Sequence, residues 1–128
     1  MGKINSRQKG KRGERAAVNA WKHDGGYQNT YRTNQFCGKA GDSDIVVPEL
    51  NFHIEVKVVE RLNIDDALAQ AERDRLPGQT PLVMHKKNGT DWRITMNFTD
   101  WLEVLHGEFP ENETIEEPPN KNDNTNSE

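Results

Sequence analysis

The sequence contains a single cysteine, Cys37, and this scarcity excludes two kinds of protein. One cysteine cannot form an intrachain disulfide, so the composition fits a reducing compartment. A structural zinc site is excluded as well, since no thiolate pair exists and the histidines do not stand at zinc-ligand spacing (His23, His53, His85 and His106). The chain also lacks an apolar run of signal-peptide or membrane-spanning length. We therefore expect a cytoplasmic protein without a membrane partner.

Apolar residues are scarce too, at 32% of 128 residues, and the shortage is concentrated at the C-terminal end. Globular domains usually hold about 45–50% on a similar count. Residues 108–128 are rich in Glu, Asn and Pro and carry seven acids against one base, Lys121. We predict one folded domain over residues 1–107 and a disordered acidic tail over residues 108–128.

The opposite charge is concentrated in the N-terminal third. Residues 1–39 contain nine lysines and arginines against two acids, Glu14 and Asp24. A concentrated basic segment favours a polyanionic partner, most simply a nucleic acid. The charge alone leaves a second interpretation open, in which the segment is a solvated charged helix.

Periodicity and turn residues predict eight elements in the order α-β-β-β-α-β-β-α. The predicted helices span residues 6–23, 63–76 and 99–106, and the predicted strands span residues 27–33, 44–47, 52–59, 81–87 and 92–98. This order favours an α/β or α+β domain with a mixed five-stranded sheet flanked by helices. Gly10 and Gly13 weaken the first helix, which suggests that another element comes close to its backbone. Trp92 and Trp101 fall at positions that we expect to pack in the core.

The stretch "FHIEVKVV" at residues 52–59 carries the most informative pattern. Side chains alternate across a strand, so His53, Glu55 and Lys57 share one face. The preceding hairpin begins with Asp44, which should come opposite Glu55. Two carboxylates suit Mg²⁺, and a nearby ammonium can stabilise charge during phosphodiester hydrolysis. Taken alone, Glu55 and Lys57 fit a solvated ion pair on a half-exposed strand better than they fit a catalytic site.

The order of several short motifs is more specific than any one of them. Lys9-Gly10, Glu14-Arg15, Arg32, Asp44-Ile45-Val46 and Glu55-Val56-Lys57 follow one another along the chain. This series resembles the PD-(D/E)xK nuclease superfamily and, within it, the archaeal-type Holliday junction resolvases, which have relatives in viruses. The resemblance covers about half of the chain, from Lys9 to Gln70. It departs from the family in the loop, where Cys37-Gly38 stands in place of a serine followed by a glycine.

The resemblance implies a restriction-endonuclease-like fold and a homodimeric endonuclease that nicks four-way DNA junctions symmetrically in recombination and repair. It implies Mg²⁺ as the cofactor, with Mn²⁺ as a substitute and no small-molecule cofactor. The compartment would be the host cytoplasm for a viral chain. In this interpretation Asp44 and Glu55 are metal ligands, and Lys57 positions water or stabilises charge. Glu14 is a further acid, either at the metal or beside the residues that bind it.

Further candidates accompany this set. Asp42 is a rival to Asp44, and Gln70 is either a site residue on the following helix or an ordinary solvent-facing glutamine. His53 either approaches the metal or is a partly buried surface residue. The residues predicted to bind nucleic acid through its phosphates are Lys9, Lys11, Arg12, Arg15, Arg32 and Lys39.

Other functions remain open at this point. The first is a nuclease of the same fold that cuts flaps or nicked DNA, or that acts in a restriction-like manner. The second is a catalytically silent DNA-binding dimer. The third is a protein-interaction module whose charges serve only solvation.

Overall fold

A computed structural model of the chain describes residues 6–33 and 43–108, and within them the predicted order of elements is confirmed. The helices are α1 (Ser6–Asn19), α2 (Ile64–Asp74) and α3 (Phe98–Glu108), and a π-helical turn (Ala20–Asp24) continues α1. The strands are β1 (Tyr31–Arg32), β2 (Ile45–Val46), β3 (Phe52–Val58), β4 (Thr80–Lys86) and β5 (Arg93–Thr95). The predicted tail boundary falls one residue before the end of α3, and residues 109–128 lie outside the described part.

The five strands form one mixed sheet, as predicted, and their order across the sheet is β1-β2-β3-β4-β5. Strands β3 and β4 are parallel because α2 connects them as a crossover, whereas the other three pairings are antiparallel. The turn between β4 and β5 contains the dipeptide Asn88-Gly89, which is typical of hairpin turns, and Gly89 adopts a φ of 79°. The chain is therefore an α+β domain with β3 at the centre of its sheet.

Helix α1 packs against the face of the sheet that carries Ile54, and the main core forms there. Ala17 and Val18 of α1 are buried together with residues of β2, β3 and β4 (Ile45, Ile54, Leu82 and Met84). A Cβ atom on Gly13 would lie 3.1 Å from Val58 Cγ2, so the glycine permits the close approach that the sequence suggested. No such neighbour lies within 4 Å of Gly10.

Helix α2 covers the opposite face, which carries His53, Glu55 and Lys57. Its N-cap is Asn63, whose side chain accepts a hydrogen bond of 3.1 Å from the Asp66 amide. Ala67 and Ala71 are its buried residues, and such small side chains let the helix lie close to the sheet. Helix α2 thus covers the polar face of β3, which explains why His53 and Glu55 are buried.

The structure differs from the sequence-based predictions in the lengths of three strands and in the exposure of Trp101. Strands β1, β2 and β5 are shorter than predicted, because the paired register extends over only two or three residues of each. Trp92 packs against the core, whereas Trp101 on α3 is 45% exposed, so its predicted core position is wrong. Phe98, which precedes it on the same helix, is 71% exposed.

Candidate active site

The hairpin of β2 and β3 brings Asp44 beside Glu55. The Asp44 amide donates to the Ile54 carbonyl at 2.9 Å, and Ile45 pairs with Ile54 in the antiparallel register. One step further along that register, Asp44 stands opposite Glu55. The Val56 amide then donates to Asp44 Oδ2 at 2.8 Å, which fixes the orientation of the carboxyl. The predicted meeting of these two acids is confirmed as geometry.

Asp44 is electrostatically the most perturbed acid of the described site. Burial, followed by the adjacent charge of Glu55, raises the pKa of Asp44 from 3.8 to about 7. Glu14 raises this pKa further, while the Val56 amide and Lys57 act in the opposite direction. The carboxyl groups of Glu55 and Glu14 therefore both lie close enough to Asp44 to raise its pKa. A cation placed there would favour the ionised form of Asp44.

Glu55 is held by a histidine that the sequence did not identify as its partner. Glu55 is 3% exposed and His53 is fully buried, with His53 Nε2 2.7 Å from Glu55 Oε2. The two side chains are therefore hydrogen-bonded to each other. His53 is fully buried, so the alternative of a partly buried surface residue is wrong. Because Nε2 is used by Glu55, the contact orients the carboxylate.

Lys57 extends the same face and contacts helix α2. Its Nζ donates to Gln70 Oε1 at 3.2 Å. Gln70, one of the predicted candidates, is thus brought to the site and holds the ammonium group. His85 of β4 is the register partner of Lys57, and its Nε2 lies 2.8 Å from Thr95 Oγ1. Burial, followed by the charge of Arg93, lowers the pKa of His85.

Glu14 reaches the edge of the site from α1. It is 6% exposed and its Oε1 lies 3.0 Å from Arg32 Nε, in an ion pair between α1 and β1. Arg32, which is predicted to contact nucleic acid, is paired with the Glu14 carboxylate in the structure. The pair partly offsets the negative charge that Glu14 adds near Asp44.

The carboxylates can be tested for their fit to a metal. Asp44 Oδ2 and Glu55 Oε2 have the partners given above, while the second oxygen of each has no hydrogen bond to another described residue. In the described ranges, His53 Nδ1 is the one buried side-chain polar atom without a hydrogen-bond partner. Two carboxylates fit Mg²⁺, which usually takes one or two from the protein.

A larger ligand set is not gathered in the described part of the chain. Within residues 6–33 and 43–108, no three His, Cys, Asp or Glu side chains are arranged to hold a metal ion. The fit to a metal therefore rests on Asp44 and Glu55, and the described geometry does not assemble Glu14 with them as a third ligand. Asp42, the rival acid, and Lys39 lie outside the described residues, as does the loop with Cys37.

The basic residues of α1 lie mainly on the surface. Lys9, Arg12 and Arg15 are exposed and Lys11 is half-buried. Lys9 and Arg12 border a cleft that also contains Lys86 of β4, a residue that no sequence motif marks as functional. Lys86 ends a strand whose four residues 81–84 are all buried, so the pattern alone indicates only a strand end there.

Comparisons with known proteins do not assign the chain to a family. No family model matches this chain, and searches of curated proteins and of solved structures give no match either. The resemblance to nucleases consequently rests on the motifs and on the geometry above. Over the described residues, every helix is too short or too polar to cross a bilayer.

Proposed function

We propose that the chain is a metal-dependent DNA endonuclease whose site is formed by Asp44, Glu55 and Lys57. The observation that carries the proposal is the convergence of Asp44 and Glu55 on one face of the β2–β3 hairpin, with the Lys57 ammonium on that face. The raised pKa of Asp44 supports it, because displaced pKa values are concentrated at functional sites.

Each residue has a separate role in phosphodiester hydrolysis. Asp44 and Glu55 would hold Mg²⁺, with Mn²⁺ as a substitute, and the metal would supply positive charge that polarises the scissile phosphoryl group. Lys57, held by Gln70, stabilises the negative charge that develops on the phosphoryl oxygens. His53 keeps the Glu55 carboxylate in place, and Arg32 does the same for Glu14.

Protonation of Asp44 couples this site to pH. With a pKa of about 7, the carboxyl is about half protonated at neutral pH before a cation binds. A metal ligand must be deprotonated, so cation binding releases this proton and strengthens as the pH rises through 7. Binding of the cation therefore completes the ionisation of the Asp44 carboxyl.

Branched DNA is the substrate that this proposal favours, and a four-way junction is the first candidate. The basic residues of α1 can contact phosphates, which position DNA without reading its sequence.

A homodimer is part of the proposal, because paired nicks require two sites. An exposed apolar group on β5 and α3 supports it, since such surfaces mark protein contacts (Ile94, Phe98, Trp101 and Leu102). The cytoplasm, or the host cytoplasm for a viral chain, belongs to the same proposal.

The test compares a four-way junction with a linear duplex of the same sequence, in Mg²⁺ and in EDTA. Paired symmetric nicks in the junction alone, lost in EDTA, are the expected result. Equal cutting of the duplex would replace the junction by a flap, nick or restriction-like substrate. Binding without cutting in Mg²⁺ and in Mn²⁺ would leave a silent DNA-binding dimer and overturn the catalytic proposal.

A further inference from the structure

A basic cleft lies between α1 and the C-terminal ends of β3 and β4. Its volume is about 310 Å³, and its lining combines cationic, polar and small residues (Lys9, Arg12, Gly13, Val58, Lys86 and Asn88, with Ala16). Three of these residues are cations and none is an acid. Three converging positive charges without a lining carboxylate create a site for an anion.

Lys86 provides the cation on the side of the cleft opposite α1. It is the parallel partner of Val58, so it projects from the face of the sheet on which α1 packs. Its ammonium lies 5.0 Å from the centroid of the Trp92 ring, a cation–π contact that restricts the side chain. The cation opposite Lys9 and Arg12 is therefore held in position by an aromatic ring.

The walls of the cleft are fixed by packing. Gly13 brings α1 close to β3, since a Cβ atom there would already lie 3.1 Å from Val58 Cγ2. At the rim, the Asn88 amide donates to Glu60 Oε2 at 3.2 Å, so this nearby acid has a partner in the turn. The cleft is consequently a formed feature of the α1–β3 contact.

The cleft and the candidate active site are built on the same strand, β3, but on opposite faces of the sheet. Val58 and Lys86 project toward α1, whereas Lys57 projects toward α2, where Gln70 contacts it. One strand of duplex DNA carries a phosphate about every 3.4 Å along the helix axis. A DNA backbone bound in the cleft therefore contacts a surface distinct from the face that carries the carboxylates.

We propose that this cleft binds the phosphodiester backbone of DNA, with Lys86 as its previously unassigned cation. The proposal rests on the nuclease function proposed above and adds a defined subsite to it. The contact is electrostatic and independent of base sequence, so it positions the substrate on the protein.

The experiment measures binding of a fluorescently labelled four-way junction by anisotropy in EDTA, where cutting is absent, over a series of salt concentrations. The variants are Lys86→Gln and Arg12→Gln, with Lys87→Gln as the matched control. Lys87 is the next residue along, is exposed and does not line the cleft. We expect each cleft variant to bind roughly three- to tenfold more weakly, with the slope of log K against log salt reduced by about 0.9.

The outcomes separate this subsite from the function. Lys86→Arg keeps the charge and should bind as the wild type does, which excludes a merely structural effect of the substitution. Thermal unfolding of Lys86→Gln checks that loss of the ring contact leaves the fold intact. If wild type binds and cuts but both cleft variants bind like Lys87→Gln, the subsite is wrong and the nuclease stands. If wild type neither binds nor cuts DNA, both proposals fall.

Discussion

Replacement of Asp44 by asparagine should stabilise the protein at alkaline pH. The pKa of Asp44 is raised from 3.8 to about 7, chiefly by burial and then by Glu55. Above pH 7 the folded protein must therefore carry a charge that its surroundings disfavour. An asparagine side chain stays neutral at every pH, and its oxygen can still accept the hydrogen bond that the Val56 amide donates to Asp44 Oδ2.

The sign of the pH dependence follows from proton binding. Between about pH 4 and pH 7 the folded state keeps a proton on Asp44 that the unfolded chain has lost. Stability from this group is therefore complete below pH 4 and declines as the pH rises to about 7. A difference of roughly three pKa units corresponds to about 4 kcal/mol in the free energy of unfolding. Partial solvent access and the coupling with Glu55 reduce this, so we expect about 2 to 4 kcal/mol.

The assay is denaturant unfolding of wild type and Asp44→Asn at pH 5 and pH 8 without divalent cations. We expect a gain of about 2 to 4 kcal/mol for the variant at pH 8 and a gain less than half as large at pH 5, where the pH exceeds the unfolded pKa of Asp44 by only about one unit. Asp91→Asn, at an exposed position in the β4–β5 turn, is the control and should show no such gain. A variant no more stable than wild type at pH 8 would refute the placement of Asp44 in a buried, acid-rich site.

Two further predictions concern His53 and Trp101. His53→Ala removes the hydrogen bond to Glu55 Oε2, so Mn²⁺ binding measured by calorimetry should weaken. The free energy of unfolding should fall by about 1–3 kcal/mol. Unchanged Mn²⁺ affinity would show that Glu55 does not need the hydrogen bond to His53 in order to bind the cation. Trp101→Glu should convert the proposed dimer to monomer in sedimentation experiments, whereas Leu76→Glu, at a position 53% exposed outside this apolar surface, should not. A Trp101→Glu protein that sediments like wild type would place the dimer contact elsewhere.

The meeting of Asp44 and Glu55 could be predicted because it depends on local information. A short turn joins the two strands, and alternation along β3 decides which side chains share a face. The Asn-Gly turn between β4 and β5 and the α2 crossover are local in the same sense. These features determine the order of elements and the mixed sheet.

The partners of the site residues depend on tertiary packing and were harder to foresee. His53 is buried because α2 covers its face, and nothing in the local pattern reveals that cover. Lys86 joins Lys9 and Arg12 only because β4 lies parallel to β3 under the start of α1. Trp101 was expected in the core because tryptophan usually packs, yet α3 leaves it on the surface.

The central claim is that Asp44 and Glu55 form the site that cuts DNA. It is tested most directly by comparing wild type, Asp44→Asn and Glu55→Gln in parallel cleavage and binding assays on a four-way junction in Mg²⁺. We expect both variants to lose cutting while their affinity for the junction in EDTA stays near that of wild type. Continued cutting by either variant, or collapse of binding together with cutting, would contradict the claim.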